Sequence, residues 1–190
     1  MATPIRILAA AGSLRHQSFN RALLRVAIDG AEQGVEVTSF ERLAELPFYD
    51  GDIEAAGDPP SVRALREAVT AADAILLVTP EYNDGTSAAL KNAIDWVSRP
   101  PARALAGKIV AVMGASVTPG GARGAIESVK RSLRRAGAEP IDAEVGIPGV
   151  HHHFDEDLNL TDEGVRAEVI GLVAALVEQV RMKAEERLAA

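Results

Sequence analysis

The 190-residue chain has the length of one domain with a substantial core, and 47% hydrophobic with 25% charged residues is a globular rather than a disordered composition. Its 27 acidic residues outnumber 20 Lys and Arg, a net charge of -7, so neither nucleic acid nor an anionic membrane is attracted to the surface as a whole. With no cysteine, disulfides, thiolate metal sites, iron–sulfur ligation and thiol nucleophiles are excluded together.

Ile5 to Ala10 reads as a strand, and nothing before it has the basic, apolar and cleavage segments of a secretion signal, so a cytoplasmic location is expected. A loop from Ala11 to Ser18 leads to a helix predicted over Phe19 to Gln33, with Ala22, Leu23, Val26 and Ala27 on one face and Gly34 as its stop. Val35 to Phe40 is a second strand. Pro47 to Pro60 is the longest irregular stretch, and its Gly57-Asp58-Pro59-Pro60 opposes helix. Ser61 opens a helix carrying Val62, Leu65, Ala68 and Val69 at helical spacing. Ala74 to Val78 is the continuous apolar run of a strand covered on both faces. A helix over Leu90 to Val97, a strand over Ile109 to Met113, a basic helix from about Ala122 to Ala136 and a strand over Ile141 to Val145 follow. Thr161 to Leu188 reads as a long last helix with Val165, Val169, Leu172, Val173, Leu176 and Val180 inward. Its apolar stretch, Val169 to Val177, is too short to span a bilayer. Residues 1–190, with no repeat and no linker, are expected to form a single α/β domain, a parallel sheet with helices on both faces.

Open parallel sheets bind ligands beyond the carboxyl ends of their strands, where the strand order reverses. The loops after strands one, three and four are therefore the candidates. In the first, Gly12 permits a tight turn, and a helix beginning near Ser18 or Asn20 brings free amides and a positive dipole end to one point. Ser13 and Ser18 add hydroxyls and Arg15 a charged fork suited to phosphate; the alternative is an ordinary helix capped by Ser18 with Arg15 in solvent. Neither a P-loop nor a dinucleotide fingerprint is present. In the second, Pro80 stiffens the strand end, the amides of Glu81, Tyr82 and Asn83 can face a planar ligand, and Tyr82 can form one wall. The alternative there is a turn in which Asn83 and Gly85 supply unusual dihedrals. In the third, the small residues Gly114, Ala115 and Ser116 allow a flat ring to approach the backbone, or simply make a flexible loop with Gly120-Gly121.

Taken together, Gly12-Ser13-Leu14-Arg15, Ser18-Phe19-Asn20, Pro80-Glu81-Tyr82-Asn83, Leu90-Lys91-Asn92-Ala93-Ile94-Asp95-Trp96 and Leu105-Ala106-Gly107-Lys108, with their spacing, resemble the NADPH-dependent FMN reductase family, which includes quinone, chromate and azo-dye reductases. The resemblance covers nearly the whole chain. It implies a flavodoxin-like, doubly wound five-stranded parallel sheet in the order 2-1-3-4-5. By it, Ser13, Arg15, Ser18 and Asn20 would hold the FMN phosphate, with Gly12, Leu14 and Phe19 in the same loop. Pro80, Glu81, Tyr82 and Asn83 would line the isoalloxazine ring, and Gly114, Ala115 and Ser116 its pyrimidine side. Asp84-Gly85-Thr86-Ser87-Ala88 stands where the family often reads Gly-Ser-Ile-Pro-Gly, a change that bears on the loop over the flavin.

The activity so implied is a two-step relay, in which hydride passes from NADPH or NADH to FMN and then to a small-molecule acceptor such as a quinone or free flavin. The cofactor carries that chemistry, so no acid–base residue is expected. The family also implies a homodimer or homotetramer, with Trp96 either at a subunit boundary or in the core. The competing class is a flavodoxin-type electron carrier that does not oxidise NAD(P)H; Arg15 in the first loop speaks against it. No metal site is expected at His151-His152-His153, because adjacent side chains diverge and no cysteine helps. Lys130, Arg131, Arg134 and Arg135 are expected on a wet helix face or an intersubunit patch.

Overall fold

A computed structural model describes residues 3–99 and 103–189. Its strands are β1 (Ile5–Ala11), β2 (Val35–Ser39), β3 (Ala74–Thr79), β4 (Ile109–Ala115) and β5 (Glu139–Ile147). Its helices are α1 (Phe19–Asp29), α2 (Gly51–Ala56), α3 (Pro60–Ala71), α4 (Ala88–Val97), α5 (Arg123–Arg135) and α6 (Glu163–Ala189). The strands form one parallel sheet in the order β2-β1-β3-β4-β5, the order that the resemblance implies.

Side chains alternate across each strand, and along the central strands β1, β3 and β4 both sets are largely apolar. Ile7, Ala9, Leu76, Val78, Ala111 and Met113 face a core closed by α1 and α6. Leu8, Ala10, Ile75, Leu77, Val110 and Val112 face a second core closed by α3, α4 and α5. That is why β3 and β4 read as unbroken apolar runs. Val180, expected inward on α6, is only partly buried. None of the described helices is long and apolar enough to cross a membrane.

Helix α1 ends at Asp29, four residues before the expected limit. The Gly30 amide bonds to Val26 O, and a Cβ at Gly30 would lie 2.7 Å from Cγ1 of Ile170, so α6 crosses directly over that end. The chain then turns through Gly34, whose φ is 87°. The stretch from Pro47 to Pro60 is also more ordered than expected. Asp50 accepts the Asp52 amide and caps α2, and Pro60 begins α3 in the first turn, where the backbone N–H has no partner within the helix. Glycine 57, at φ 115°, separates the two helices.

This segment is fastened by α4. The Trp96 indole (2.8 Å) and the Asn92 amide (2.9 Å) both donate to Pro47 O, and Asn92 Oδ1 accepts the Tyr49 amide at 2.8 Å. Trp96 is fully buried, edge-on to Tyr49 with ring centroids 5.0 Å apart, so it belongs to the core. Arg66 completes the clasp from α3, pairing with Glu54 at 2.6 Å and Asp58 at 3.2 Å.

Helix α6 opens on Asp162, whose Oδ1 accepts the amides of Gly164 (2.8 Å) and Val165 (3.1 Å) while Oδ2 meets His153 Nδ1 at 2.8 Å. The Val165 amide first, then His153 and the Gly164 amide, hold this carboxyl below the ordinary aspartate value. A depressed folded pKa gives stability that is complete above the unfolded value and lost as pH falls through the folded one. Chemical unfolding followed between about pH 6 and pH 2 should therefore show a smaller acid-dependent loss in Asp162→Asn, which still accepts both amides but does not titrate.

Candidate active site

The register of the sheet sets the carboxyl ends of β1, β3 and β4 side by side, with Ala11 opposite Val78 and Thr79 opposite Gly114. The order reverses between β1 and β3, which opens a crevice there. The Gly12 amide bonds to Val78 O at 2.8 Å. A Cβ on Gly12 would lie 2.7 Å from Ser87 Oγ and 3.1 Å from Leu90 Cβ, so the first loop and the capped start of α4 meet only because residue 12 has no side chain.

From Ser13 to Asn20, no backbone N–H donates to an acceptor among the described residues. These donors run into the N-terminus of α1, where Ser18 Oγ accepts the Arg21 amide at 3.3 Å. Ser13 and Ser18 are buried, whereas Leu14 and Arg15 are exposed. A row of free amides, a positive helix end and an exposed guanidinium suit a phosphate. The capping role of Ser18 is thus compatible with such a site.

Asn20 is placed differently. Its buried amide donates to Ala115 O at 3.0 Å and accepts the Ala115 amide at 2.9 Å, so both of its polar atoms are committed to β4. Its contribution is to lock the first turn of α1 against the end of that strand. Phe19 is half-buried against Phe154, with ring centroids 5.3 Å apart, and also points away from the loop's free amides into packing.

After β3, the backbones of Tyr82 and Gly85 exchange hydrogen bonds of 2.9 and 3.0 Å. The corner residues are Asn83 (φ 51°) and Asp84 (φ 59°). Positive φ at both central positions is what a two-residue type I′ hairpin requires, and Asn and Asp tolerate it. The unusual dihedrals therefore fall on Asn83 and Asp84, not on Gly85. Pro80 is buried beneath this hairpin and Tyr82 is exposed on it. Glu81 turns back and accepts the Ala125 amide of α5 at 3.0 Å. Thr79 Oγ1 and Thr86 Oγ1, 2.8 Å apart, tie the base of the loop.

After β4, Gly114 and Ala115 are buried within the sheet end. A Cβ on Gly114 would lie 2.5 Å from Thr79 O, so this glycine serves strand packing. Ser116 is half-buried, with its hydroxyl 2.9 Å from that of Thr118. The exposed part of the loop is Val117 to Gly120, beyond the residues that sequence reasoning singled out. The Pro119-Gly120-Gly121 run was the available signal.

Other expected features lie elsewhere. Lys130 is 3% exposed and donates to Asp142 O (3.0 Å) and Glu144 (2.7 Å), so the wet face comprises Arg131, Arg134 and Arg135 without it. Arg131 and Arg135 border a groove between α4 and α5, away from the crevice. His151 and His152 stack on each other while His153 turns to Asp162, and no group of three or more His, Cys, Asp or Glu suited to a metal occurs among the described residues.

A doubly wound parallel sheet with a run of free amides at its switch point defines a flavodoxin-like α/β protein. Residues 5–152 match the model for the NADPH-dependent FMN reductases, and the chain belongs to that family. It is 37% identical over 182 residues to an NAD(P)H-dependent FMN reductase of Pseudomonas aeruginosa, a match covering 95% of this chain and 98% of the relative. It is 41% identical over 125 residues to the quinone reductase of Escherichia coli K12, covering 65% and 66% of the two chains. The fold is similar to that of the flavoenzyme NAD(P)H:(acceptor) oxidoreductase FerB from Paracoccus denitrificans, with a TM-score of 0.85 at 32% identity over 94% of this chain and 98% of that one. The chain is accordingly an oxidoreductase that uses FMN and NAD(P)H.

Because both polar atoms of Asn20 are spent on Ala115, Asn20→Ala leaves a buried amide and carbonyl without partners and should cost about 1–3 kcal/mol in urea unfolding. Asn20→Asp should be more damaging near pH 7 than near about pH 4, because the carboxylate would face the Ala115 carbonyl.

Proposed function

We propose that this chain binds FMN with its phosphate on the Gly12–Asn20 loop and reduces a small flat acceptor, such as a quinone or free flavin, with NADPH or NADH. The observation that carries the reading is the run of unpartnered amides from Ser13 to Asn20 beside the exposed Arg15. Those amides, the Ser13 and Ser18 hydroxyls and Arg15 would hold the phosphate. Pro80, the Glu81 backbone, Tyr82 and Asn83 would border the flavin ring on one side, with Ser116 and the exposed Val117 to Gly120 at its other edge. Bound FMN supplies the hydride relay between donor and acceptor. The work of the chain is to bind, orient and exclude water, and no side chain has to exchange a proton with the substrate.

The functional unit is proposed to be a homodimer, alone or paired into a homotetramer, acting in the cytoplasm. Leu14 (53% exposed), Phe48 (79%), Tyr82 (51%) and Val117 (60%) are apolar side chains on the loops that follow β1, β2, β3 and β4. A second copy seated on this end of the sheet would cover them and close the crevice.

Anaerobic titration of the FMN-loaded protein with NADPH, and separately with NADH, should bleach the flavin's visible absorption within turnover time. Flavin that binds but stays oxidised would favour an electron carrier, and no flavin binding would overturn the reading. Arg15→Ala should weaken FMN binding by about 10- to 100-fold in a fluorescence titration, the worth of a charged hydrogen bond. Unchanged affinity would remove Arg15 from the phosphate site.

A further inference from the structure

Helix α5 begins without a side-chain cap of its own. Its N-cap, Ala122, sits in the left-handed region at φ 62° and has no side chain able to accept an N–H. The missing acceptor comes from another loop, since Glu81 Oε2 lies 3.0 Å from the Ala125 amide. A carboxylate at a helix N-terminus is favoured both by the hydrogen bond and by the dipole. The same carboxylate lies against the loop after β4, where a Cβ on Gly120 would be 3.7 Å from Oε1. Gly124, in the first turn of α5, completes the contact. A Cβ there would lie 2.9 Å from Asp84 O and 3.1 Å from Glu81 Oε2, so the 82–85 hairpin rests on α5 only because residue 124 lacks a side chain.

We infer that Glu81 is a positioning residue for hydride transfer: by capping α5, it fixes the Tyr82–Gly85 hairpin at the height at which that hairpin meets the flavin ring. This rests on the reductase reading given above. The phosphate loop and the hairpin are held by different contacts. Asn20 secures the former to β4, and Glu81 secures the latter to α5. Release of Glu81 therefore loosens the ring side of the site and leaves the phosphate side in place.

The test compares Glu81→Ala, Glu81→Gln and Gly124→Ala. Glutamine keeps an oxygen for the Ala125 amide, whereas alanine does not. Gly124→Ala improves local helix propensity, so a defect in it comes from a displaced hairpin and not from a weakened helix. Without cofactor, hydrogen exchange at the Ala125, Tyr82 and Gly85 amides should accelerate by about tenfold in Glu81→Ala, the worth of a lost cap, and should stay near the parent rate in Glu81→Gln. In FMN-loaded protein, the visible circular dichroism of the flavin should change in Glu81→Ala and Gly124→Ala. FMN affinity should shift by less than about threefold, and the rate of bleaching by NADPH should fall by about tenfold. Glu81→Gln should restore both the spectrum and the rate. Unchanged exchange and dichroism in Glu81→Ala would overturn the assignment, as would a loss of FMN binding as large as that in Arg15→Ala. If neither NADPH nor NADH bleaches the parent protein, the reductase reading falls, while exchange and dichroism still decide the role of Glu81.

Discussion

The site depends on how closely backbones approach at the carboxyl edge of the sheet. At Gly12 the first loop is pressed against Ser87 and Leu90 of α4, and at Gly114 the end of β4 is pressed against Thr79 O. At Gly124 a hairpin rests directly on a helix. A single methyl group would have to displace main chain at Gly114 and Gly124, and the Ser87, Leu90 and Pro80 side chains at Gly12, and a close-packed interior yields at a cost. The crevice is therefore defined by absent side chains as much as by present ones. The polar groups that surround it are chiefly peptide amides whose directions are set by secondary structure.

Around that edge, tertiary hydrogen bonds join segments far apart in sequence. Asn20 reaches Ala115, Glu81 reaches Ala125, and Asn92 with Trp96 holds Pro47 and Tyr49. Each replaces solvent for a buried or half-buried backbone group that secondary structure leaves unpaired. Each also fixes one loop to a rigid element: the first loop to β4, the hairpin to α5, and the segment after β2 to α4. The core on either side of the sheet supplies the general stability, and these few side-chain contacts give the loops their shape.

Much of this architecture was legible in the chain. The unbroken apolar runs of β3 and β4 reflect burial on two faces, and the helical spacing of Val62, Leu65 and Val69 reflects one apolar stripe. The early end of α1 was not legible, because it depends on Ile170 of a distant helix arriving at Gly30. The small helix at Gly51–Ala56 was missed because Asp50 capping it and Arg66 bridging to Glu54 are both contacts whose geometry a local pattern does not carry. Of the candidate site residues, the run of free amides follows from the loop-to-helix pattern. The committed amide of Asn20 and the inward turn of Lys130 could be known only once residue 115 and residues 142 to 144 were in place. A motif identifies residues that belong together, and it leaves open which of them touch the ligand and which hold those that do.

The pairing of Asn20 with Ala115 also orders events in time. The chain emerges from the ribosome in sequence order, so the loop at Ser13–Asn20 is made before β4. Its anchor on β4 is synthesised 95 positions later. During that interval the first βα unit can form locally, but its cradle of amides has nothing to hold it at the sheet edge. The amide-rich loop is thus made well before its anchor and completed only with it, so a nascent chain that has not yet formed β4 lacks a finished edge to the crevice.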